Sequence, residues 1–373
     1  MTSLQLKDYE IADGAAIPTP ALLVYPDRVD HNIRAVIAQC GGEPGRWRPH
    51  VKTAKIGDVM AQFVANGVTR FKCATSKELR TLLELEAPDV LVAFPMVGAN
   101  AARVRALAAA HPKTRVSVLV ESTEHLAPYR GSGIGVFVDC NPGMDRTGRD
   151  PANPAGVAAL VDTIVDCGCT FRGVHWYDGH MHGLEMDERT RVAHAGYDAL
   201  LRLVAQLATR GHAPKEIVVA GTPASPCALS YTRWSETGAD VEISPGTVVY
   251  NDATSLTQLP ESWGLKPAAL VLATVVSHPR GARFTCDAGH KTVSADAGVP
   301  TCTVVGHAAW TPSKPSEEHL PIDVPANERA PSIGATVLLL PRHICPTVNN
   351  FDEALFVRDG RVERTVAVTA RGR

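Results

Sequence analysis

The chain has 373 residues, of which 45% are hydrophobic and 20% charged, so it is long enough for two domains with a sizeable packed core. Its formal net charge of -2 excludes the basic footprint of a nucleic-acid-binding protein, and no window approaches the ~20 apolar residues that span a bilayer. The first ten residues lack the apolar stretch of a signal peptide, and the nine cysteines include no CxxC pair. We therefore expect a soluble, cytoplasmic protein with reduced thiols and without membrane or nucleic-acid partners.

Residues 21–25 form the first strand-like run, and residues 27–39 follow with helical spacing. Strand-like runs then alternate with segments rich in Ala, Leu, Glu and Arg. These runs are residues 48–52, 70–75, 90–94, 115–120, 134–140, 171–177, 216–221 and 241–245. Eight such units predict an α/β fold, a (β/α)8 TIM-type barrel over residues 26–252, with a doubly wound open sheet as the alternative.

After residue 252 the pattern changes to short β-type runs that are separated by Pro and Gly. These runs are residues 271–276, 282–286, 301–305, 336–340 and 364–368. Convincing helical segments are absent from this part of the sequence. The pattern predicts a C-terminal all-β domain over residues 253–373, while residues 1–25 are expected to form an extended arm.

Lys52 lies in the run Arg48-Pro-His-Val-Lys-Thr-Ala-Lys55, at the expected carboxyl end of the first barrel strand. Active-site groups of α/β barrels gather at that end. Apolar walls and the neighbouring charges of Arg48 and Lys55 would disfavour a charged amine, and an uncharged lysine forms Schiff bases with carbonyl compounds. The alternative, from the local sequence alone, is a solvated lysine on a loop.

Small-residue turns follow the seventh and eighth expected strands, with the sequences Ala220-Gly-Thr-Pro-Ala-Ser225 and Ser244-Pro-Gly-Thr247. Backbone N–H groups in such turns bind anions, and barrels commonly bind phosphate after these two strands. Each turn alone is typical of an ordinary loop. Together with Lys52, the two turns predict a phosphate-bearing aldehyde cofactor, which is pyridoxal 5′-phosphate.

His343 and Cys345 alternate in an expected strand near the carboxyl end of the chain. Both side chains would then face the same side and could hold one divalent ion, for which a thiolate and an imidazole suit zinc better than magnesium. Further ligands could come from His180, His182 or His319. A buried histidine beside a core cysteine is the alternative interpretation.

Seven motifs, in the same order, resemble the fold-type III pyridoxal-phosphate enzymes, specifically the group of D-threonine aldolases and D-serine dehydratases. They are Arg48-Pro-His-Val-Lys-Thr-Ala-Lys55, Gly143-Met-Asp-Arg-Thr-Gly148, Tyr177-Asp-Gly-His180, Gly221-Thr-Pro223, Pro245-Gly-Thr247, Asp287-Ala-Gly-His-Lys291 and His343-Ile-Cys-Pro-Thr-Val-Asn349. The resemblance covers nearly the whole chain. It implies an alanine-racemase-like barrel, an arm over residues 1–25 that joins the β domain, and a homodimer with each active site at the subunit interface.

The resemblance also implies roles for single residues. Lys52 would be the Schiff-base lysine, and Arg146 would lie near the phenolic oxygen of the cofactor. His180 would line the substrate site and is a candidate catalytic base. The cofactor-binding residues that the resemblance implies are Lys52, His50, Arg146, Tyr177, Gly221, Thr222, Gly246, Thr247 and Tyr250. His343 and Cys345 would bind a divalent metal, either Zn²⁺ or Mn²⁺.

Two features depart from the pattern of the group. Many relatives have histidine where this chain has Ala54, and aldolases typically have His-x-Asp where this chain has His343 and Cys345, as D-serine dehydratases do. The flanking sequence Pro346-Thr-Val-Asn349 and the motif Tyr177-Asp-Gly-His180 are more similar to those of bacterial aldolases. We therefore expect a D-threonine-aldolase-type lyase that cleaves D-3-hydroxy-amino acids to glycine and an aldehyde. The alternatives are a D-serine-dehydratase-type ammonia-lyase, an amino-acid racemase, a non-catalytic cofactor carrier and a barrel without cofactor.

Overall fold

The computed structural model describes residues 4–373, which divide into two compact units. The β unit comprises the residues up to 35, residues 53–62 and residues 247–372. The barrel unit comprises residues 36–52 and 63–246 together with the last residue. No helix in the described part of the chain is long and apolar enough to cross a membrane.

The described residues form sixteen strands and ten α-helices. The strands are β1 (Ala21–Val24), β2 (Arg70–Cys73), β3 (Asp89–Val92), β4 (Arg115–Val120), β5 (Gly135–Cys140), β6 (Thr170–Trp176), β7 (Glu216–Val219), β8 (Asp240–Ile243), β9 (Ala269–Arg280), β10 (Arg283–Cys286), β11 (Cys302–Val304), β12 (Thr311–Pro312), β13 (Leu320–Asp323), β14 (Thr336–Pro341), β15 (Glu353–Arg358) and β16 (Arg361–Ala367). The helices are α1 (Pro26–Gln39), α2 (Gly57–Ala65), α3 (Ser76–Glu84), α4 (Gly98–Ala110), α5 (Thr123–Leu126), α6 (Pro154–Asp166), α7 (Met186–Thr209), α8 (Ser225–Ser230), α9 (Ala253–Gln258) and α10 (Ile344–Asn349).

The barrel unit is built on a parallel sheet in which β2 to β8 follow one another in chain order. The expected first strand, residues 48–52, is not a continuous strand. Instead Trp47 makes a single parallel bridge to Ile243 of β8, and His50 makes another to Lys72 of β2, so that the segment closes the ring of strands. Pro49 lies between the two bridges and has no N–H group to donate, which interrupts a regular ladder.

The remaining seven expected barrel strands are confirmed. Most of their buried side chains are apolar, because a parallel sheet covered by helices is buried on both faces. Leu91, Leu119, Phe137 and Val218 form one buried cluster, contributed by β3, β4, β5 and β7. These apolar side chains form one layer of the sheet interior.

A buried ion network lies where several of the barrel strands begin. The guanidinium of Arg48 contacts the carboxylates of Asp89 at 2.9 Å, Glu216 at 2.8 Å and Glu242 at 2.5 Å. Arg172 pairs with Asp89 at 3.2 Å and also with Glu216. Buried charges are tolerated when they are paired in this way. Arg48 is therefore paired with carboxylates, and it is not the unpaired charge beside Lys52 that the sequence suggested.

The β unit contains a sheet in which β1 lies between β9, its antiparallel neighbour, and β15, its parallel neighbour. The five expected β-type runs after residue 252 are confirmed as β9, β10, β11, β14 and β16. The expected absence of helices is wrong at α9 and α10. Buried apolar residues of β9, β10, β13 and β14 form the core of this unit.

His343 and Cys345 do not alternate on a strand, contrary to the expectation. β14 ends at Pro341, His343 precedes α10, and Cys345 lies in the first turn of that helix. The physical reason is Pro346, which cannot donate to a β ladder but is tolerated in the first turn of a helix. The two side chains remain close in the chain, on a helix start instead of a strand.

Candidate active site

The ring of Tyr177, directly after β6, is surrounded by three cationic side chains of the barrel unit. The Nζ atoms of Lys52 and Lys72 lie 5.9 Å and 5.4 Å from the ring centroid, and the guanidinium carbon of Arg146 lies 5.0 Å from it. Cations within about 6 Å of an aromatic face are attracted by its quadrupole. Three of the residues singled out in the sequence, Lys52, Arg146 and Tyr177, thus come together, and Lys72 joins them.

Two glycines make room for the Tyr177 ring. A Cβ atom added at Gly179 would lie 2.6 Å from Cε1 of the ring, and one added at Gly221 would lie 2.8 Å from Cε2. Both distances are well inside van der Waals contact, so any larger residue would displace the ring. The glycines of the Tyr-Asp-Gly-His and Gly-Thr-Pro motifs therefore have a packing role around Tyr177.

Asp178 joins the loop after β6 to the loop after β7. Its Oδ1 accepts a hydrogen bond from the Gly221 N–H group at 3.2 Å, and its Oδ2 accepts one from the Tyr197 hydroxyl of α7 at 2.9 Å. Burial raises the pKa of Asp178 above its ordinary value. Asp178 belongs to the Tyr177-Asp-Gly-His180 motif, but the sequence did not indicate a role for it.

A buried chain of three polar side chains lies beside Tyr177. The Lys72 amine is 3.4 Å from Nε2 of His175, and Nδ1 of the same ring is 2.7 Å from Oδ1 of Asp139. Burial and the charge of Lys72 lower the pKa of His175. Burial raises the pKa of Asp139, but the hydrogen bond and charge of His175, the hydrogen bond of Thr147 and the charge of Lys72 together outweigh burial, and the pKa lies below its ordinary value.

Lys72 is part of this site, although it was not predicted from the sequence. The available signal was a lysine flanked by Phe71 and Cys73, two apolar residues that are fully buried in β2. A charged residue in an apolar strand either belongs to a strand at the edge of the sheet or points into the protein interior. The sequence does not distinguish these two cases. Here the Lys72 side chain is itself buried, with 2% of its surface exposed.

Of the two small-residue turns, the one after β8 contains a feature that fits a phosphate group. After β7, the N–H group of Ser225 donates to the Gly221 carbonyl at 3.0 Å, and Thr222 is buried in this turn. After β8, the hydroxyl oxygen of Ser244 is buried and has no hydrogen-bond partner among the described residues. Gly246 follows in the same loop and is buried. A buried hydroxyl without a partner fits an anionic ligand that is bound there.

His180 lies in the 3₁₀ turn Gly179–Gly183 of the barrel unit. Its Nδ1 is buried and has no hydrogen-bond partner in the part of the chain that the structure describes. Its Nε2 lies 3.7 Å from where a Cβ of Gly143 would stand, so it faces the loop that contains Arg146.

His50 accepts a hydrogen bond from the backbone N–H of Lys52 at 3.4 Å through its Nδ1.

In the β unit, the two candidate metal ligands are held by hydrogen bonds. Nδ1 of His343 is 2.6 Å from Oδ2 of Asp296, which leaves Nε2 as the nitrogen available to a metal. Sγ of Cys345 lies 3.0 Å from the Thr53 hydroxyl and 3.6 Å from the Thr247 hydroxyl. Thr247 begins the 3₁₀ turn Thr247–Val249 and was expected to bind phosphate.

Electrostatics favour a positive charge on His343. Burial lowers the pKa of His343, but the neighbouring Cys345 and Asp296 outweigh burial and raise it to about 9. The thiol and imidazole donors fit zinc by their chemistry. No three His, Cys, Asp or Glu side chains within residues 4–373 are arranged to hold a metal ion together, so neither His180 nor His182 completes such a group. His319 is exposed.

Tyr250 also lies in the β unit. Its hydroxyl donates to the backbone carbonyl of Ala54 at 2.8 Å, and burial raises its pKa. Ala54 occupies the position where many relatives have histidine, and it is almost fully buried. The backbone of this position therefore holds the Tyr250 hydroxyl, although the usual side chain is missing.

Residues 24–253 match the alanine racemase N-terminal domain family, and this match spans more than half of the chain. The chain belongs to this family. Residues 268–357 match a serine dehydratase domain. These two matches cover the barrel strands and most of the C-terminal strands, and they support the expected combination of an alanine-racemase-like barrel with a separate, mostly β domain.

Three known proteins are similar to the chain over nearly its whole length. A D-threonine aldolase from Arthrobacter sp. is 26% identical over 367 residues, which are 96% of this chain and 94% of the relative. A 3-hydroxy-D-aspartate aldolase from Paracoccus denitrificans (strain Pd 1222) is 27% identical over 378 residues, 97% and 94% of the two chains. The structure of D-threonine aldolase from Filomicrobium marinum superposes with a TM-score of 0.87, at 26% identity and 96% coverage of both chains.

The expected relationship to the D-threonine aldolase and D-serine dehydratase group is thereby confirmed. The chain is a pyridoxal-phosphate-dependent lyase of fold-type III.

Proposed function

We propose that the protein is a metal-dependent aldolase that cleaves D-3-hydroxy-amino acids, with D-threonine as the model substrate, to glycine and an aldehyde. The observation that supports the proposal most strongly is the cluster of Lys52 and Arg146 around the Tyr177 ring. It is found in a chain that is 26% identical to a D-threonine aldolase along 96% of its length. Cationic groups around an aromatic ring suit a cofactor that carries a phenolic oxygen and a phosphate.

Pyridoxal phosphate, when bound, supplies an electron sink for negative charge at the substrate's Cα. In the proposal, Lys52 would hold the aldehyde group of the cofactor, and Arg146 and Tyr177 would bind its phenolic oxygen and its ring. The residues proposed to bind the rest of the cofactor are His50, Gly221, Thr222, Gly246, Thr247 and Tyr250.

His180 is proposed as the base that takes the proton of the substrate's β-hydroxyl group at Nε2. The Cα–Cβ bond then breaks, its electron pair stays at Cα, and Cβ becomes the aldehyde carbon. A proton added at Cα completes glycine. A Zn²⁺ or Mn²⁺ ion held by His343 and Cys345 would supply Lewis acidity, which lowers the pKa of a bound hydroxyl. We also propose that the protein is a cytoplasmic homodimer, because the resemblance to fold-type III pyridoxal-phosphate enzymes implies a dimer.

Product analysis tests the proposal. The purified protein is incubated with pyridoxal phosphate, D-threonine and either zinc or manganese, and the products are quantified. We expect glycine and acetaldehyde in equal amounts, and L-threonine as a control substrate should give neither. The formation of 2-oxobutanoate and ammonia instead would contradict aldol cleavage, and the absence of all four products would contradict the substrate class.

The second candidate function is a D-serine-dehydratase-type ammonia-lyase. Two observations favour it: a thiol at position 345, and the match of residues 268–357 to a serine dehydratase domain. In that reaction Lys52 removes the Cα proton, the β-hydroxyl group leaves as water, and the products are a 2-oxo acid and ammonia. Cys345→Asp separates the two candidates, because it should preserve or raise the aldolase activity and impair a dehydratase.

A further inference from the structure

The segment that follows Lys52 is bound to the carboxyl-terminal tail of the chain. This segment, residues 53–62, belongs to the β unit, and so do residues 368–372, which we call the tail. The Ala370 N–H group donates to the Lys55 carbonyl at 2.9 Å, and the Lys55 amine donates to the Ala370 carbonyl at 3.1 Å. The two residues therefore hold each other through two hydrogen bonds that run in opposite directions.

Lys55 has two features that are uncommon for a lysine. Its side chain is buried, with 6% of the residue exposed, and its φ of +50° lies in the left-handed region. Residues other than glycine keep such a backbone conformation where the surrounding structure holds them in it, and such positions cluster at functional sites. Its partner Ala370 is fully buried. The tail thus holds Lys55 in a conformation that an isolated chain would rarely adopt.

The same tail is also bound to the end of helix α10. Nε of Arg371 donates to the Asn349 carbonyl at 3.2 Å, and the Gly372 N–H group donates to the side-chain oxygen of Asn349 at 3.0 Å. Asn349 is the last residue of α10. The Arg371 guanidinium also pairs with Asp352, which lies just beyond this helix. The tail therefore binds both α10 and the segment that contains Lys55.

A direct contact at the start of α10 closes a ring of interactions. The thiol of Cys345, in the first turn of the helix, lies 3.0 Å from the hydroxyl of Thr53. Thr53 is fully buried and is the residue next to Lys52. The ring runs from Thr53 along the chain to Lys55, through the tail to the end of α10, and back along the helix to Cys345. Because closely packed interiors do not deform freely, a displacement at one point of this ring shifts the others.

We propose that the tail is a strap that fixes the segment after Lys52 against helix α10, with Lys55 and Arg371 as positioning residues. The inference rests on the proposed function in two respects, which are that Lys52 carries the cofactor and that Cys345 holds the metal. Neither positioning residue is assigned a contact with cofactor or metal. Each acts on both ligands through the tail, so loosening the tail at either place weakens the binding of both.

Two variants, one for each place where the tail is bound, test this inference through ligand affinity. Lys55→Met removes the amine that binds the tail, and methionine has a similar length and suits a buried site. Arg371→Met removes the guanidinium that binds the end of α10. Lys314→Met and Arg329→Met are the matched controls, because both residues are exposed in the same unit.

The affinity for pyridoxal phosphate is measured by absorbance titration of the full-length protein without metal, and the affinity for zinc by competition with a zinc-binding dye without cofactor. We expect the two crossed effects to be about fivefold: weaker zinc binding in Lys55→Met and weaker binding of pyridoxal phosphate in Arg371→Met. The controls should bind both ligands as the wild type does. If Lys55→Met changes only the binding of pyridoxal phosphate and Arg371→Met only that of zinc, the roles are local and the inference is overturned.

Urea unfolding of the same variants separates positioning from stability. A purely structural role for the tail would lower the free energy of unfolding and leave both crossed affinities unchanged, which would also overturn the inference. Arg371 is partly exposed, so Arg371→Met still gives a result if Lys55→Met does not fold.

Failure of this inference is distinguishable from failure of the proposed function. If the wild type binds no zinc, the proposed metal site is wrong, and the effect of Arg371→Met on pyridoxal phosphate decides the inference. If the wild type binds no pyridoxal phosphate, the effect of Lys55→Met on zinc decides it. If the wild type binds both ligands and cleaves D-threonine while the crossed affinities are unchanged, the proposed function stands and the role of the tail is refuted.

Discussion

At the scale of single residues, the position of the Tyr177 ring depends on two neighbouring glycines that have no side chain. The ring fits between Gly179 and Gly221 because neither residue has a Cβ atom. Gly221 also donates its N–H group to Asp178, which keeps the loop after β7 at this distance from the ring. A side chain at position 221 would therefore act on the ring and the loop at once.

Gly221→Ala is expected to weaken the binding of pyridoxal phosphate about tenfold, which corresponds to about 1.4 kcal/mol. The added methyl group would lie 2.8 Å from Cε2 of Tyr177 and push the ring or the loop away. Equilibrium titration of the cofactor-free protein, followed by absorbance, measures the effect. Gly45→Ala is the matched control, because nothing lies within 4 Å of a Cβ at that exposed position. Equal affinity in wild type and Gly221→Ala would refute this packing argument.

At the scale of elements, the turn between β14 and α10 presents His343 and Cys345, and the loop at residues 294–296 holds the first of them. Asp296 binds Nδ1 of His343, while its other carboxylate oxygen accepts a hydrogen bond from the Ser294 hydroxyl at 2.9 Å. Carboxylates in this position orient metal-binding histidines and raise their basicity. The loop therefore fixes the orientation that the imidazole would need in the proposed metal site.

Asp296→Asn is expected to weaken zinc binding by about 10- to 100-fold, as is typical when the carboxylate partner of a metal-binding histidine is replaced. Competition with a zinc-binding dye measures the affinity independently of catalysis. Asp323→Asn is the control, because Asp323 pairs with Arg283 elsewhere in the same unit. If both variants bind zinc as the wild type does, Asp296 does not support a metal site.

At the scale of the whole molecule, stability at low pH depends on the ion network of the barrel unit. Burial raises the pKa of Asp89, but the charges and hydrogen bonds of Arg48, Arg172 and Arg115 outweigh burial and lower it from 3.8 to about 2. Each pH unit of this difference corresponds to about 1.4 kcal/mol, so ionised Asp89 contributes about 2 kcal/mol. A lowered pKa means that this contribution is complete above about pH 4 and is lost as the pH falls through about 2.

Asp89→Asn should therefore reduce the free energy of unfolding by about 2 kcal/mol at pH 7, and the difference from wild type should shrink towards zero near pH 2. Urea unfolding at several pH values measures both quantities. Asp166→Asn, a change at an exposed position at the end of α6, should have no such pH-dependent effect. A destabilisation by Asp89→Asn that is the same at every pH would show that lost packing, and not lost pairing, is its cause.

The barrel strands were predictable because buried parallel strands form continuous apolar runs, and seven of them lie where the sequence indicates. The structure of the segment before Lys52 was not predictable. Pro49 reduces this segment to two isolated bridges, although the segment still closes the ring of barrel strands. The helix at Cys345 was not predicted, because the spacing of His343 and Cys345 is compatible with a strand and with the start of a helix. Pro346 favours the helix start. Lys72 was missed because the direction of a side chain in β2 is set by the closed sheet.

Chemical trapping of the cofactor tests the central claim, that Lys52 carries the chemistry. The holoenzyme is reduced with sodium borohydride, which makes the bond between cofactor and lysine permanent, and is then digested and mapped by mass spectrometry. The account predicts pyridoxyl phosphate on Lys52 alone, and no trapped cofactor in Lys52→Arg. Label on Lys72 or Lys55, or a trapped cofactor that survives in Lys52→Arg, would contradict it.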